Sequence, residues 1–159
     1  MSIKQPNAKN CFVCGVDNPV GLHLSFEEQS PGEVTADCIL EEKYEGYPGI
    51  VHGGIVASML DEISSRALMG NPDQPRFPFT ARINVRYRKH VPVGQPLHLR
   101  GWMGKDDGKR AVVYASISDQ AGNVLAESES LMVDIPPEMY HGLVLEDPTW
   151  KRDDNKENK

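Results

Sequence analysis

Residues 50–69 read IVHGGIVASMLDEISSRALM, and residues 55–69 within this stretch form the strongest helix candidate in the chain. Apolar side chains cover much more of this segment than the narrow stripe of a surface helix, which indicates burial on several sides. The remaining face carries only small polar side chains, namely Ser58, Asp61, Ser64 and Ser65. The pattern therefore predicts one long, buried helix that exposes a carboxylate on its polar face.

Strand patterns occur on both sides of this helix. Before it, Leu22, Leu24 and Phe26 alternate with polar residues, and residues 34–40 form a returning strand after a Ser-Pro-Gly turn. After it come four further strand segments, at residues 82–88, 95–105, 110–119 and 124–135. Short turns between them favour antiparallel pairing. The predicted fold class is α+β, with one long central helix wrapped by an antiparallel sheet of five or six strands.

Length, charge and cysteine count limit the possible classes of protein. A chain of 159 residues fits a single domain, and a net charge of −6 argues against nucleic acid as the main partner. Three cysteines suit a reducing compartment better than a disulfide framework. We expect a cytoplasmic protein without a secretory signal or membrane span. Within it we expect a flexible N-terminus at residues 1–10, one domain at 11–147 and a disordered tail at 148–159.

The motif His52-Gly53-Gly54 precedes the helix and suggests a site for a polarised carbonyl group. Glycines allow backbone N–H groups at a helix N-terminus to approach a ligand oxygen closely. The positive end of the helix dipole lies at the same place, so Gly53 and Gly54 are candidate oxyanion or substrate contacts. Asp61, two turns later, can act as a general base for water or as a nucleophile.

The spacing of these residues predicts an oligomer. Gly53 and Asp61 are eight residues apart, which is about 12 Å along one helix at about 1.5 Å per residue. One carbonyl group cannot contact both residues of the same helix. Two antiparallel helices in a two-fold dimer would provide two composite sites. We therefore expect a homodimer, or a dimer of such dimers.

Three stretches of the sequence together carry a family resemblance. YPGIVHGG at residues 47–54 is followed by Asp61 nine residues after the histidine, CFVCG lies at 11–15, and TARINVRY lies at 80–87. In combination they resemble hotdog-fold thioesterases of the phenylacetyl-CoA thioesterase type. The stretch TARINVRY looks like the strand that follows the central helix in mammalian thioesterase-superfamily members. The resemblance covers about residues 11–135.

This resemblance implies a function and roles for particular residues. It implies hydrolysis of an acyl-CoA thioester, with coenzyme A as part of the substrate and with no cofactor or metal. Asp61 matches the catalytic acid, the Gly53 N–H matches the group that polarises the thioester carbonyl, and Thr80 matches a hydroxyl that orients the attacking water. Ser65 matches a hydroxyl found in some members. His52 belongs to the motif, and we interpret it mainly as fixing the loop to the helix.

Two positions depart from the pattern or complicate it. Some relatives carry an asparagine about six residues before the histidine, where this chain has Gly46, so a helper group is missing or replaced. In an unbroken strand, Thr80 would point the same way as Arg82 and Arg86, away from the core. A β-bulge or the dimer seam is therefore needed to bring Thr80 to Asp61.

A dense basic cluster follows in the same region, made up of Arg82, Arg86, Arg88, Lys89 and His90. We interpret it as a contact for the phosphates of coenzyme A, because arginine and lysine are the usual phosphate ligands. The alternative is a solvated strand face that discourages pairing of sheet edges.

Other functions stay open at this point. The pair Cys11-x-x-Cys14 would need two more ligands for a typical zinc site, and it precedes a strand rather than the helix expected of a redox motif. Packing is therefore its default interpretation. The alternative functions are a non-catalytic acyl-CoA-binding module, a hotdog hydratase or dehydratase, and a metal-binding protein built on the cysteines.

Overall fold

The computed structural model describes residues 1–70 and 76–140. Its strands are β1 (Ile3–Lys4), β2 (Glu27–Ser30), β3 (Glu33–Ile39), β4 (Pro78–Tyr87), β5 (Pro96–Asp106), β6 (Arg110–Asp119) and β7 (Val124–Asp134). Its helices are α1 (Gly53–Met69), the four-residue α2 (Pro137–Tyr140) and a 3-10 turn at Glu42–Tyr44.

All seven strands form one antiparallel sheet in the order β1-β2-β3-β5-β6-β7-β4. Helix α1 packs against one face of this sheet and contacts β3, β4, β5, β6 and β7. The predicted α+β class with one long central helix is confirmed. The sheet has seven strands rather than five or six, since the N-terminal residues Ile3–Lys4 add a short strand beside β2.

Helix α1 is buried because its apolar residues extend around most of its surface. Val56, Met59, Leu60 and Ile63 are each no more than 1% exposed, and they belong to the same core as Leu99 of β5. The first two helical residues are glycines, which the apolar pattern alone did not include in the helix. Among the residues the structure describes, no helix is both long and apolar enough to cross a membrane.

Part of the N-terminal segment packs against the domain, since Gln5 and Pro6 are buried while residues 1–4 are exposed. Gln5 is 2% exposed, and its Nε2 donates a hydrogen bond to the carbonyl oxygen of Arg66 at 3.1 Å. Arg66 in turn donates to the carbonyl oxygen of Pro6. These contacts are polar and join distant parts of the chain, so the sequence pattern gave no sign of them. The tail expected at 148–159 lies outside the described residues.

The alternation predicted around Leu22 is correct for burial but not for strand structure. Leu22, Leu24 and Phe26 are buried while His23 between them is exposed. However, His23 has a φ of 56°, a left-handed conformation that interrupts an extended strand. The N–H groups of Leu22 and Leu24 instead bond to the loop carbonyls of Phe12 and Val13, and β2 begins only at Glu27.

Candidate active site

Asp61 lies in the middle of α1 and is half-buried on the side that faces β4. Thr80 Oγ1 donates a hydrogen bond to Asp61 Oδ1 at 2.6 Å. Burial raises the pKa of the Asp61 carboxyl above its ordinary value of 3.8, the Thr80 hydrogen bond opposes that rise, and the negative charge of Glu62 adds to it. The carboxylate is therefore partly desolvated but keeps one oriented hydroxyl partner.

A β-bulge in β4 explains how Thr80 reaches the helix. Thr80 pairs with Met132 and Arg82 pairs with Leu131, so Ala81 is an extra residue on the β4 side. The extra residue reverses the side-chain alternation between Thr80 and Arg82. Consequently Thr80 points towards α1 while Arg82 stays exposed. A bulge was one of the two arrangements that the sequence offered for bringing Thr80 to Asp61, and the structure contains it.

Ser65 and Thr80 both contact the thioether of Met132. The two hydroxyl oxygens lie 3.9 Å and 3.4 Å from Met132 Sδ, respectively. Ser65 is one turn after Asp61 on the same helix, but no hydrogen bond joins these two side chains in the described structure. Met132 is fully buried in β7, and no sequence pattern connects it with the site.

His52 caps the N-terminus of α1. The ring Nδ1 of His52 accepts a hydrogen bond from the Gly54 N–H at 2.9 Å. The backbone N–H of His52 donates to the Tyr44 carbonyl oxygen at 2.9 Å. A Cβ at Gly54 would lie 3.1 Å from the His52 ring, so the cap favours glycine there. Because the Gly54 N–H is used by the cap, it is not the free donor that the sequence suggested. No described residue accepts a hydrogen bond from the Gly53 N–H.

Tyr87, at the end of β4, fixes the first helical peptide from the other side. Its hydroxyl donates a hydrogen bond to the Gly53 carbonyl oxygen at 2.8 Å. The sequence placed Tyr87 only in the strand that follows the central helix, and its partner lies 34 residues away. Its place at the end of the stretch TARINVRY is the only signal that could have pointed to it.

Gly46 occupies the position where some relatives carry asparagine. A Cβ there would lie 3.2 Å from the His52 Cα, which is closer than most real contacts of this kind. The Gly46 N–H also donates to the Ile50 carbonyl at 2.9 Å, closing the loop before α1. This close approach accounts for glycine at the position, and the loop carries no helper side chain there.

The basic cluster is divided between two surfaces. Arg88 and Lys89 line an open cleft of about 450 Å³ together with His52, Gly53 and Tyr87. Arg88 also forms an ion pair with Glu127 at 2.6 Å. By contrast, Arg82 and Arg86 are exposed along β4 and do not line this cleft. A larger cavity of about 630 Å³ lies elsewhere, beside β3 and β5, and contains none of the predicted site residues.

Comparison with known proteins agrees with the fold. Residues 48–126 match the family model of the thioesterase superfamily. A crystal structure described as a thioesterase superfamily protein superposes with a TM-score of 0.72 at 31% identity, covering 79% of this chain and 61% of that one. This chain belongs to the hotdog-fold thioesterase superfamily. The resemblance seen in the three sequence stretches is thus confirmed.

Two further proteins are similar to this thioesterase-superfamily chain, one in sequence and one in fold. Acyl-coenzyme A thioesterase THEM4 of Mus musculus is 25% identical over 95 residues, which is 59% of this chain and 40% of that protein. A Streptococcus mutans structure bound to acetyl CoA superposes with a TM-score of 0.64 at 20% identity, over 70% of this chain and 88% of that one, and supports the fold alone. The matched region spans less than two thirds of the mouse relative and of the first structure.

Proposed function

We propose that this member of the thioesterase superfamily hydrolyses an acyl-CoA thioester to a free acid and coenzyme A. The observation that carries the proposal is the contact between Asp61 and Thr80. The half-buried Asp61 carboxylate on the central helix lies 2.6 Å from the Thr80 hydroxyl on β4. The mouse relative, an acyl-coenzyme A thioesterase, supports acyl-CoA as the substrate class. The reaction as proposed needs no cofactor or metal beyond the coenzyme A of the substrate.

Asp61 has two routes open to it. As a general base, its free Oδ2 takes a proton from water while the water oxygen attacks the thioester carbon. As a nucleophile, the carboxylate attacks that carbon itself, and water then hydrolyses the resulting anhydride. In either route the C–S bond breaks and coenzyme A leaves as the thiol. The Thr80 hydroxyl holds Oδ1 and retains lone pairs that can accept a hydrogen bond from the attacking water.

The oxyanion donor in this proposal is the Gly53 N–H of a second subunit. Within one chain, Gly53 and Asp61 lie about 12 Å apart along α1 at about 1.5 Å per residue. A two-fold arrangement of antiparallel helices would bring the Gly53 of one subunit to the Asp61 of the other. The Gly53 N–H has no acceptor among the described residues, as expected of a donor kept for a ligand. We therefore propose a homodimer, or a dimer of such dimers.

The cleft beside Gly53 supports a more limited assignment of the coenzyme A contacts. Arg88 and Lys89 line it next to His52 and Gly53, so their charges lie close to the proposed carbonyl site. Arg82 and Arg86 lie on a different surface and are assigned to the solvated strand face instead. We propose that Arg88 and Lys89 bind phosphate groups of the substrate.

His52 favours hydrolysis over hydration of a double bond. A hydratase would need a histidine that exchanges a proton with the substrate. His52 Nδ1 already accepts the Gly54 N–H, which commits this nitrogen to the helix cap. Its place supports a structural role, while the ionisable group left for chemistry is Asp61.

A panel of acyl-CoA substrates with short, long and aromatic acyl groups tests this proposal through release of free thiol. Asp61→Asn is expected to lower kcat by about 100-fold to 10,000-fold, the usual range for removing a catalytic base. Binding of acyl-CoA, measured by calorimetry, should persist. Asp17→Asn removes an exposed carboxylate that is not part of the proposed site and should leave turnover unchanged. Acyl-CoA binding without any thiol release would instead identify a non-catalytic module.

A further inference from the structure

Cys11 and Cys14 form a buried pair where the N-terminal segment crosses α1. Cys14 is fully buried, Cys11 is half-buried, and their sulfurs lie within 4.8 Å of each other. The Cys14 N–H donates to Cys11 Sγ at 3.4 Å, and the Gly15 N–H donates to the Cys11 carbonyl at 2.8 Å. Residues three apart in such a helical turn have Cβ atoms about 5–6 Å apart. The Cβ atoms of a disulfide lie at about 3.5–4.5 Å, so forming the bond requires the backbone of this short turn to tighten as well as a rotation of the two side chains.

Arg66 brings a buried positive charge to this pair. The residue is 1% exposed, and its Nη2 donates to Cys14 Sγ at 2.9 Å while its Nε donates to Glu62 Oε1 at 2.9 Å. Its guanidinium also lies over the ring of Phe26, with 4.8 Å to the ring centre. A fixed cation at this distance stabilises the negative charge that the Cys14 sulfur acquires when it loses its proton to act as a resolving thiolate.

We propose that Cys11 and Cys14 are a redox-active dithiol, which a small-molecule disulfide converts reversibly into an intrachain disulfide. Cys11, the more accessible sulfur, attacks one sulfur of the small disulfide and releases one thiol. Cys14 then loses its proton, attacks the Cys11 sulfur of the mixed disulfide and releases the second thiol. The protein loses two electrons and two protons, and the small disulfide gains both.

The two sulfurs are suited to these different steps. The pKa of Cys11 is lowered to about 6, mainly by its hydrogen bond with Cys14, although burial and the charge of Glu62 act in the opposite direction. The pKa of Cys14 is raised by the same hydrogen bond and by burial, with Arg66 opposing the rise. These opposite directions favour Cys11 as the attacking sulfur and Cys14 as the thiol that loses its proton in the second step.

A metal site is the competing interpretation of the same atoms. Sulfurs of Cys11 and Cys14 and an oxygen of Glu62 lie within 4.8 Å of one another. However, Arg66 donates to both Cys14 and Glu62, so its guanidinium already neutralises the negative charge that would attract a cation. A structural zinc ion also needs four ligands as a rule. The contacts of Arg66 therefore favour the dithiol.

The test uses the native full-length protein, incubated with oxidised glutathione at pH 7 and then digested for peptide mass mapping. The chain has three free cysteines, so Cys38→Ser leaves only the proposed pair. We expect this variant to lose both titratable thiols and to yield a digestion product in which a disulfide joins Cys11 to Cys14. Dithiothreitol should restore both thiols. Wild-type protein should give the same linked peptide and keep one thiol.

A second variant separates the two steps. Cys14→Ser should stop at a stable glutathione adduct on Cys11, because the resolving thiol is missing. The proposal is overturned if the native protein keeps all three thiols, or if wild-type Cys11 accumulates as the adduct. It is also overturned if elemental analysis finds one equivalent of metal that protects both thiols. None of these measurements depends on thioester hydrolysis.

Discussion

Thr80 and Asp61 meet between strand β4 and helix α1, with Thr80 Oγ1 donating to Asp61 Oδ1 at 2.6 Å. The contact depends on Ala81, the extra residue of the bulge in β4. Without it, the alternation of side chains would point Thr80 to the outer face with Arg82. A single inserted backbone position thus decides whether the buried carboxylate has a hydroxyl partner.

Replacing Thr80 by valine is expected to weaken catalysis in a pH-dependent way. The Thr80 hydrogen bond lowers the pKa of Asp61, so its loss raises that pKa further. In the proposed reaction Asp61 acts as a carboxylate, so the acid limb of the profile of kcat against pH should move to higher pH. A hydrogen bond to a charged group contributes about 1.5–3 kcal/mol, so kcat should fall by about 10-fold to 150-fold.

Thr80→Ser is the matched control because it keeps the hydroxyl and removes only a methyl group. The acid limb of its profile of kcat against pH should lie at the same pH as that of the wild-type protein. A Thr80→Val variant with an unchanged pH profile would show that the hydroxyl does not control the ionisation of Asp61.

Asp61 is also expected to reduce the stability of the folded protein. Its raised pKa means that the folded state binds a proton more tightly than the unfolded chain. The ionised carboxylate therefore destabilises the fold above its folded pKa, and this effect disappears as pH falls through the folded pKa and below 3.8. Asp61→Asn should raise Tm at pH 7 and have little effect near pH 3.5.

Thermal unfolding over a pH series measures this difference. The asparagine carbonyl can still accept the Thr80 hydroxyl, so the variant changes charge more than contacts. Asp17→Asn, on the exposed surface, should show no comparable gain in Tm at pH 7. A lower Tm for Asp61→Asn at pH 7 would contradict the prediction.

Tyr87→Phe removes the hydroxyl that holds the Gly53 carbonyl and leaves the ring in place. The Gly53–Gly54 peptide then keeps its N–H bond to His52 but loses its link to β4, which loosens the start of α1 where the proposed oxyanion donor lies. One hydrogen bond between neutral groups contributes about 0.5–1.5 kcal/mol, so kcat should fall by about 2-fold to 13-fold. Steady-state kinetics should show this fall in kcat with a smaller change in KM.

Tyr114→Phe provides the control for Tyr87→Phe, since Tyr114 stacks on Trp102 away from Gly53. Its kcat should match that of the wild-type protein. Equal losses in the two variants would indicate a general effect on the fold rather than on the first peptide of α1.

The sequence was sufficient to predict the parts of the fold that depend on periodicity. The apolar pattern placed the central helix and its polar face, and the prediction for β6 matches the observed strand at Arg110–Asp119. The motif at residues 47–54 also located the loop before α1. These features depend on neighbouring residues, whose side-chain directions follow from the helical and strand repeats.

Contacts between distant residues could not be predicted in the same way. Tyr87 reaches Gly53 across 34 residues, and Arg66 reaches Cys14 across 52. Both contacts depend on how β4 and the N-terminal segment pack on α1, and no local pattern specifies that. The burial of Arg66 could not be predicted from its position on the helix, because a charged residue there is usually solvated.

The composite site across two subunits can be tested by complementation between two inactive variants. Gly53→Pro removes the N–H at the first helical position, where proline fits without disturbing the helix. The backbone of His52, at φ −55° and ψ 134°, suits the residue before a proline, and a Cβ at Gly53 meets nothing closer than 3.6 Å. Gly53→Ala keeps the N–H and should remain active.

Mixed dimers of Gly53→Pro and Asp61→Asn should then regain activity. In such a dimer, the site formed by the intact Asp61 of one chain and the intact Gly53 of the other is complete, while the second site carries both defects. Random association gives half mixed dimers with one working site each, so turnover should recover to about a quarter of the wild-type value. If both residues acted within one chain, every site would carry one defect and co-refolded mixtures would stay inactive.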